Sequence, residues 1–338
     1  MPVSMMTFFN KTKRFIFLLI AISFLHVSYG QNSSINWTKD GLSYMKFSEG
    51  NLVKVDPKTE QQTVLYKKEF FIPAGEKEPL NPDAFQFSND NNKILLFVNT
   101  AKVWRYNTRG DYWLYDIVNK RLRQLGKSLP PQSLMFAKFS PDSRFVAFVS
   151  ERNIFSEDVI SGIIKKLTTD GTRKLINGTF DWVYEEEFSF AKAFAWSPDS
   201  KKIAFYTFDE SQVPEYNMQM WGDLYPEDYR YKYPKAGEAN AIVSLSVALL
   251  DENKLQAIQV GPEKDQYIPR LKWTKNPDVV GFIRLNRLQN HMELLHHSIS
   301  QAKTSLIYEE RAETSIEIEA IGNDITYLND GKTFIFSS

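Results

Sequence analysis

Three consecutive carboxylates, Glu185, Glu186 and Glu187, stand among large aromatic residues in the run Asp181-Trp182-Val183-Tyr184-Glu185-Glu186-Glu187-Phe188. Adjacent acids repel one another. On an exposed turn water screens that repulsion, and the run is then only a solvated acidic loop. In a partly buried, aromatic-walled site the repulsion is instead relieved when an ammonium arrives between two carboxylates. A primary ammonium has three donors, so a pair of acids that accepts two of them selects a free amino terminus over a blocked one. A second run, Lys102-Val103-Trp104-Arg105-Tyr106, reads as the opening of a strand that continues to Asp111-Tyr112-Trp113-Leu114-Tyr115-Asp116. Arg105 between aromatics can stack on them, or donate to a substrate carbonyl or carboxylate.

Other chemistries are excluded by residue type. The chain has no Cys, which removes disulfides, thiolate metal sites and a cysteine nucleophile. Its histidines are His26, His291, His296 and His297, and no Gly-x-Ser-x-Gly pentapeptide is present, so a serine triad cannot be assembled from this chain. His296 and His297 occupy neighbouring strand positions, which point to opposite faces, and read as surface decoration. There is no His-x-x-x-His spacing and no Gly-rich phosphate loop, so neither a metal nor an organic cofactor is expected. Charges balance at 41 basic and 41 acidic residues in 338, which argues against a nucleic-acid partner. Peptides or small molecules fit better.

The elements that would hold these residues repeat. An aromatic residue, a small or hydroxyl residue, a Pro/Asn/Asp turn, a basic residue and an apolar strand recur from Trp37, Phe87, Phe139, Trp196, Trp273 and Tyr327. The six starts are separated by 50, 52, 57, 77 and 54 residues, close to the length of a four-stranded propeller blade. Pro-Asp and Asn-Asp-Gly make tight hairpin turns, and the flanking apolar residues pack between blades. The fold class expected is all-β, a β-propeller; a β-sandwich with chance likeness between hairpins is the alternative. The Tyr-rich stretch 221–234 lies in the 77-residue interval and reads as an insertion covering a blade edge, or as a ligand wall.

Residues 1–30 read as a secretory signal: Lys11, Lys13 and Arg14 precede the apolar run Phe15 to Leu25, and Ser28 and Gly30 follow. An apolar run of eleven residues, interrupted only by Ser23, falls short of the roughly 20 that span a bilayer, so a cleaved signal is preferred to an anchor. A periplasmic or secreted location is expected. Residues 31–338 then form the folded part.

Four segments together resemble the N-terminal propeller of the dipeptidyl peptidase IV family: Asp181 to Phe188, Trp104-Arg105 ahead of Tyr115-Asp116, Tyr233-Pro-Lys-Ala-Gly237 with Asn240, and Arg287-Leu-Gln-Asn290. The resemblance implies an eight-bladed propeller followed by an α/β-hydrolase domain, acting as a serine exopeptidase that releases N-terminal Xaa-Pro or Xaa-Ala dipeptides. On that pattern the chain carries about six blades of an incomplete propeller and lacks the hydrolase domain, and so has no catalytic residue of its own. The resemblance assigns Glu186 and Glu187 to the substrate ammonium and Arg105 to its first peptide carbonyl, with Glu185, Tyr184 and Trp182 as secondary candidates. It implies a peptide with a free N-terminus and the hydrolase domain as partners, and a homodimer in the full-length protein. A non-catalytic propeller that binds peptides or proteins, and an inactive gene fragment, are the other readings.

Overall fold

The structure is a computed structural model that describes residues 36–104, 106–189, 193–222, 224–318 and 325–336. The proposed signal 1–30 and Arg105 lie outside the described residues.

Strands follow one another in antiparallel sheets of the propeller-blade type. Blade 1 is β1 (Asn36–Trp37), β2 (Tyr44–Ser48), β3 (Asn51–Val55) and β4 (Gln62–Tyr66). Blade 2 is β5 (Ala84–Phe87), β6 (Lys93–Lys102), β7 (Asn107–Asp116) and β8 (Arg121–Gln124). Blade 3 is β9 (Leu134–Phe139), β10 (Phe145–Ser150), β11 (Asn153–Asp158) and β12 (Ile164–Lys166), joined to blade 2 where β7 also pairs with β9. In blade 4, β13 (Leu175–Asn177) and β14 (Phe194–Trp196) both pair with β15 (Lys202–Asp209), at its two ends. They act as one first strand whose middle, including helix α1 (Trp182–Phe188), is looped out. The hairpin β16 (Glu215–Met220) and β17 (Glu227–Lys232) forms a separate arm before β18 (Ile242–Leu249) and β19 (Lys254–Ile258) complete the sheet. Blade 5 is β20 (Gln266–Trp273), β21 (Val279–Asn286), β22 (His291–Ser298) and β23 (Lys303–Arg311), and the hairpin β24 (Ile325–Tyr327) and β25 (Phe334–Phe336) lies in the sixth repeat.

The recurring turn has the physical role the repeat implies. The hydroxyls of Ser88, Ser140 and Ser197 donate to Asp90, Asp142 and Asp199, at 2.5 to 2.6 Å, and accept from the backbone N–H five residues on. The first two turns are also tied to the next blade: Asp90 N–H donates to Ser143 Oγ, and Asp142 N–H to Ser200 Oγ. The tryptophans reach the other way. Trp196 Nε1 donates to the Lys138 carbonyl of blade 3, and Trp273 Nε1 to the Ala195 carbonyl of blade 4.

Period-two alternation places both faces of a central strand in apolar layers. Along β10, Val146 and Phe148 pack with Leu95 and Leu114 of blade 2, whereas Ala147 and Val149 pack with Ile203 and Phe205 of blade 4. This accounts for apolar runs such as Phe-Val-Ala-Phe-Val, which are too continuous for a half-exposed strand.

His296 and His297 do point to opposite faces of β22, but neither is surface decoration. Blades lie against both sides of the sheet. His296 Nε2 bonds the Tyr327 hydroxyl of the sixth repeat at 2.8 Å, and His297 is fully buried, with Nδ1 2.8 Å from Thr304 Oγ1. The Thr304 hydroxyl donates to the Gln259 carbonyl, so it accepts the His297 Nδ1 proton. Nε2 is then bare, and among the described residues it has no hydrogen-bond partner. Burial holds both imidazoles below their ordinary pKa, with Asp278 opposing this at His297. The unfolded chain therefore takes up these protons first, and stability falls as the pH drops below about 6.5. Urea midpoints between pH 7.5 and pH 5 should decline less steeply for His297→Asn than for the parent. Parallel slopes would remove this histidine from the account.

Candidate functional site

The connection from the second to the third strand of each blade lies at the end opposite its Ser-Asp or Asn-Asp turn. One face of the propeller therefore gathers Val103, Trp104 and Tyr106 between β6 and β7, the β10–β11 turn at 151–152, the β16–β17 arm and the β21–β22 turn at 287–290. Helix α1 emerges beside β15 on this same face, since β13 pairs with the end of β15 that leads to the arm. The Trp104 run is thus a hairpin tip, not the opening of a strand. The Tyr-rich stretch supplies β17 of the arm, which reaches toward that tip rather than covering a blade edge: Trp104 stands edge-on to Tyr231 at 4.7 Å and to Tyr229 at 6.3 Å.

Asp181 starts the helix. Its backbone is extended and its Oδ1 accepts from Tyr184 N–H at 3.0 Å, an N-cap that satisfies one of the free amides of the first turn. Ser189, with φ 49°, ends it. Two further pins hold the helix against β20. The Tyr184 hydroxyl accepts from Ile268 N–H at 2.8 Å, and Arg270 donates to the Phe188 carbonyl at 3.0 Å and to the Ile318 carbonyl at 2.9 Å. Tyr184 is 2% exposed and is a structural anchor for α1.

Helical geometry splits the acidic triplet. Consecutive residues turn by about 100° around the axis, so Glu185 is buried, Glu186 half-buried and Glu187 exposed. The run is not a uniformly solvated acidic turn, because Glu185 is only 5% exposed. Glu187 enters a cleft of about 170 Å³ that it shares with Trp182, Lys235, Asn240, Tyr267 and Arg287. Trp182 packs edge-on to Tyr233 at 4.4 Å. Asn240 Nδ2 donates to the Tyr267 hydroxyl at 2.8 Å, and Arg287 sits over the Tyr267 ring while bonding Asp265 and the Glu238 carbonyl. Burial raises the Tyr267 pKa, and the Glu187 charge adds to the rise. The cleft therefore offers a carboxylate acceptor for an ammonium beside aromatic walls and neighbouring polar groups.

A larger cavity of about 610 Å³ adjoins the Asp181 end of the helix, between the β6–β7 tip, the β10–β11 turn and the arm. Two acids line it that the sequence reading did not single out as chemistry: Asp181, read there only as context for the glutamates, and Glu210 at the end of β15. Burial pushes the Asp181 carboxyl up to about 7. Burial, with the nearby Asp181 adding to it, pushes Glu210 up to about 8, against the opposing charges of Lys232 and Arg152. Arg270 was missed as well. Its only sequence signal is a cation directly after Pro269, two residues before Lys272, in a mostly apolar strand.

The family search matches residues 88–338 to the dipeptidyl peptidase IV N-terminal region. The chain belongs to that family. A probable dipeptidyl-aminopeptidase B of Phaeosphaeria nodorum is 30% identical over 315 residues, covering 83% of this chain and 34% of the relative. The protein of the same name from Aspergillus oryzae is 33% identical over 219 residues, 60% of this chain and 24% of the relative. Among solved structures, Porphyromonas gingivalis dipeptidyl peptidase 4 superposes with a TM-score of 0.81 at 30% identity, over 91% of this chain and 44% of that one. A putative dipeptidyl aminopeptidase IV from Bacteroides ovatus shares the fold, with a TM-score of 0.68 at 22% identity over 90% of this chain and 40% of that one. The chain thus spans between about a quarter and a third of the curated relatives it matches.

Proposed function

We propose that this chain is the substrate-recognition propeller of an exported dipeptidyl peptidase IV-like serine exopeptidase. Glu186 and Glu187 take the free α-ammonium of a peptide, and Arg105 takes its first carbonyl. The ammonium docks at the propeller and so fixes how many residues reach a nucleophile supplied by an α/β-hydrolase domain outside residues 31–338. The observation that carries the reading is Glu187 on a helix pinned at both ends, entering a cleft walled by Trp182 and Tyr267. The family match over residues 88–338 supports the peptidase assignment, and Lys11, Lys13 and Arg14 ahead of an apolar run support export. A homodimer is the assembly proposed for the full-length protein.

Calorimetry with a free-amino Xaa-Pro peptide and its N-acetylated form tests the clamp. The free peptide is expected to bind at least tenfold tighter, because acetylation removes the charge and two of the three donors. Equal affinities would leave the acids without this role.

A further inference from the structure

We propose that the 610 Å³ cavity beside Asp181 is a second peptide subsite, which takes carboxylate side chains of a bound peptide. Five basic residues from four segments converge on it: Arg109 on β7, Arg152 in the β10–β11 turn, Arg173 ahead of β13, and Arg230 and Lys232 on β17. A chain with equal numbers of acids and bases has thus concentrated cations in one concavity. Arg173 pairs with Glu215, and Arg230 lies 4.0 Å from Asp228. Arg109 and Arg152 make no ion pair among the described residues, and both are exposed. The acids lining the cavity are Glu151, Asp181 and Glu210, and burial holds the last two toward their neutral forms. At neutral pH the lining is therefore net positive.

Size and wall chemistry decide the ligand class. The volume exceeds what a single inorganic anion fills and suits a segment of a few residues. Trp104, Tyr229 and Tyr231 present aromatic surface for the stems of side chains. Guanidinium forks match planar carboxylates with two parallel bonds. The cavity shares no lining residue with the Glu187 cleft, and their preferences are opposite in sign, so the cavity does not depend on the clamp.

Isothermal titration of the protein with N-acetyl-Ala-Glu-Asp-Glu-amide, against its Gln-Asn-Gln counterpart, tests the assignment. Acetylation removes the ammonium, so the result is independent of Glu186 and Glu187. The acidic peptide is expected to bind at least tenfold tighter at low salt, and Arg109→Gln/Arg152→Gln should abolish the difference with an unchanged melting temperature. Equal affinity for the two peptides, or full binding in the double variant, would overturn the proposal. Glutarate is the third arm: if it binds as tightly as the acidic peptide, the site serves free dicarboxylates and the peptide assignment fails.

Discussion

Glu187→Gln is expected to raise KM for a free-amino dipeptidyl substrate and to lower kcat/KM by roughly 10- to 150-fold in the full-length protein, because a hydrogen bond to a charged group is worth about 1.5–3 kcal/mol. Gln keeps the size and one acceptor oxygen, so the cleft with Trp182 and Tyr267 stays filled and the lost quantity is charge. Glu186→Gln should move in the same direction. Glu185→Gln, at a buried position, should act on stability instead. Dipeptidyl anilide hydrolysis by the three variants separates these outcomes. Unchanged kinetics for Glu187→Gln would remove the ammonium clamp from the mechanism.

The second large effect is on stability. Asp181 titrates at 3.8 as a free side chain and at about 7 in the folded protein, so the folded state holds this proton more tightly than the unfolded state. Its contribution is complete below about pH 4 and is lost as the pH rises to about 7. Glu210 extends the loss toward about pH 8. For Asp181 alone the loss is roughly 4 kcal/mol. Asn is as good a helix cap as Asp, so Asp181→Asn should match the parent near pH 3.5 and exceed it by several kcal/mol at pH 8 in urea unfolding. A constant difference between the two across that range would mean that Asp181 is ionised throughout.

Much of the fold can be read in the sequence because the repeat is local. A Ser-Pro-Asp turn and the aromatic residue before it fix a hairpin within about ten residues, and six such hairpins define the blade period. Helix α1 is different. Seven residues give no apolar periodicity, so Asp181 to Phe188 could be read for chemistry but not for shape, and the fanning of Glu185, Glu186 and Glu187 around a helix stayed hidden. The convergence of Trp104, Glu187 and Arg287 on one face depends on strand connections separated by about a hundred residues. Glu210 follows Asp209 just beyond β15 and Arg270 precedes Lys272 on β20, so neither stands out by its sequence, and only tertiary packing gives them partners. The paired histidines were misjudged because strand alternation tells which faces residues occupy, but not whether another sheet covers both.

The indole bonds between sheets have a consequence for biogenesis. Trp196 reaches back to blade 3 and Trp273 to blade 4, while the serines at positions 143 and 200 receive amides from the turn before. A nascent chain leaving a ribosome or a translocation pore N-terminus first would therefore satisfy each sheet only after the following one has emerged. Assembly would proceed like a zipper, with the newest sheet always the least secured and the one a chaperone would shield.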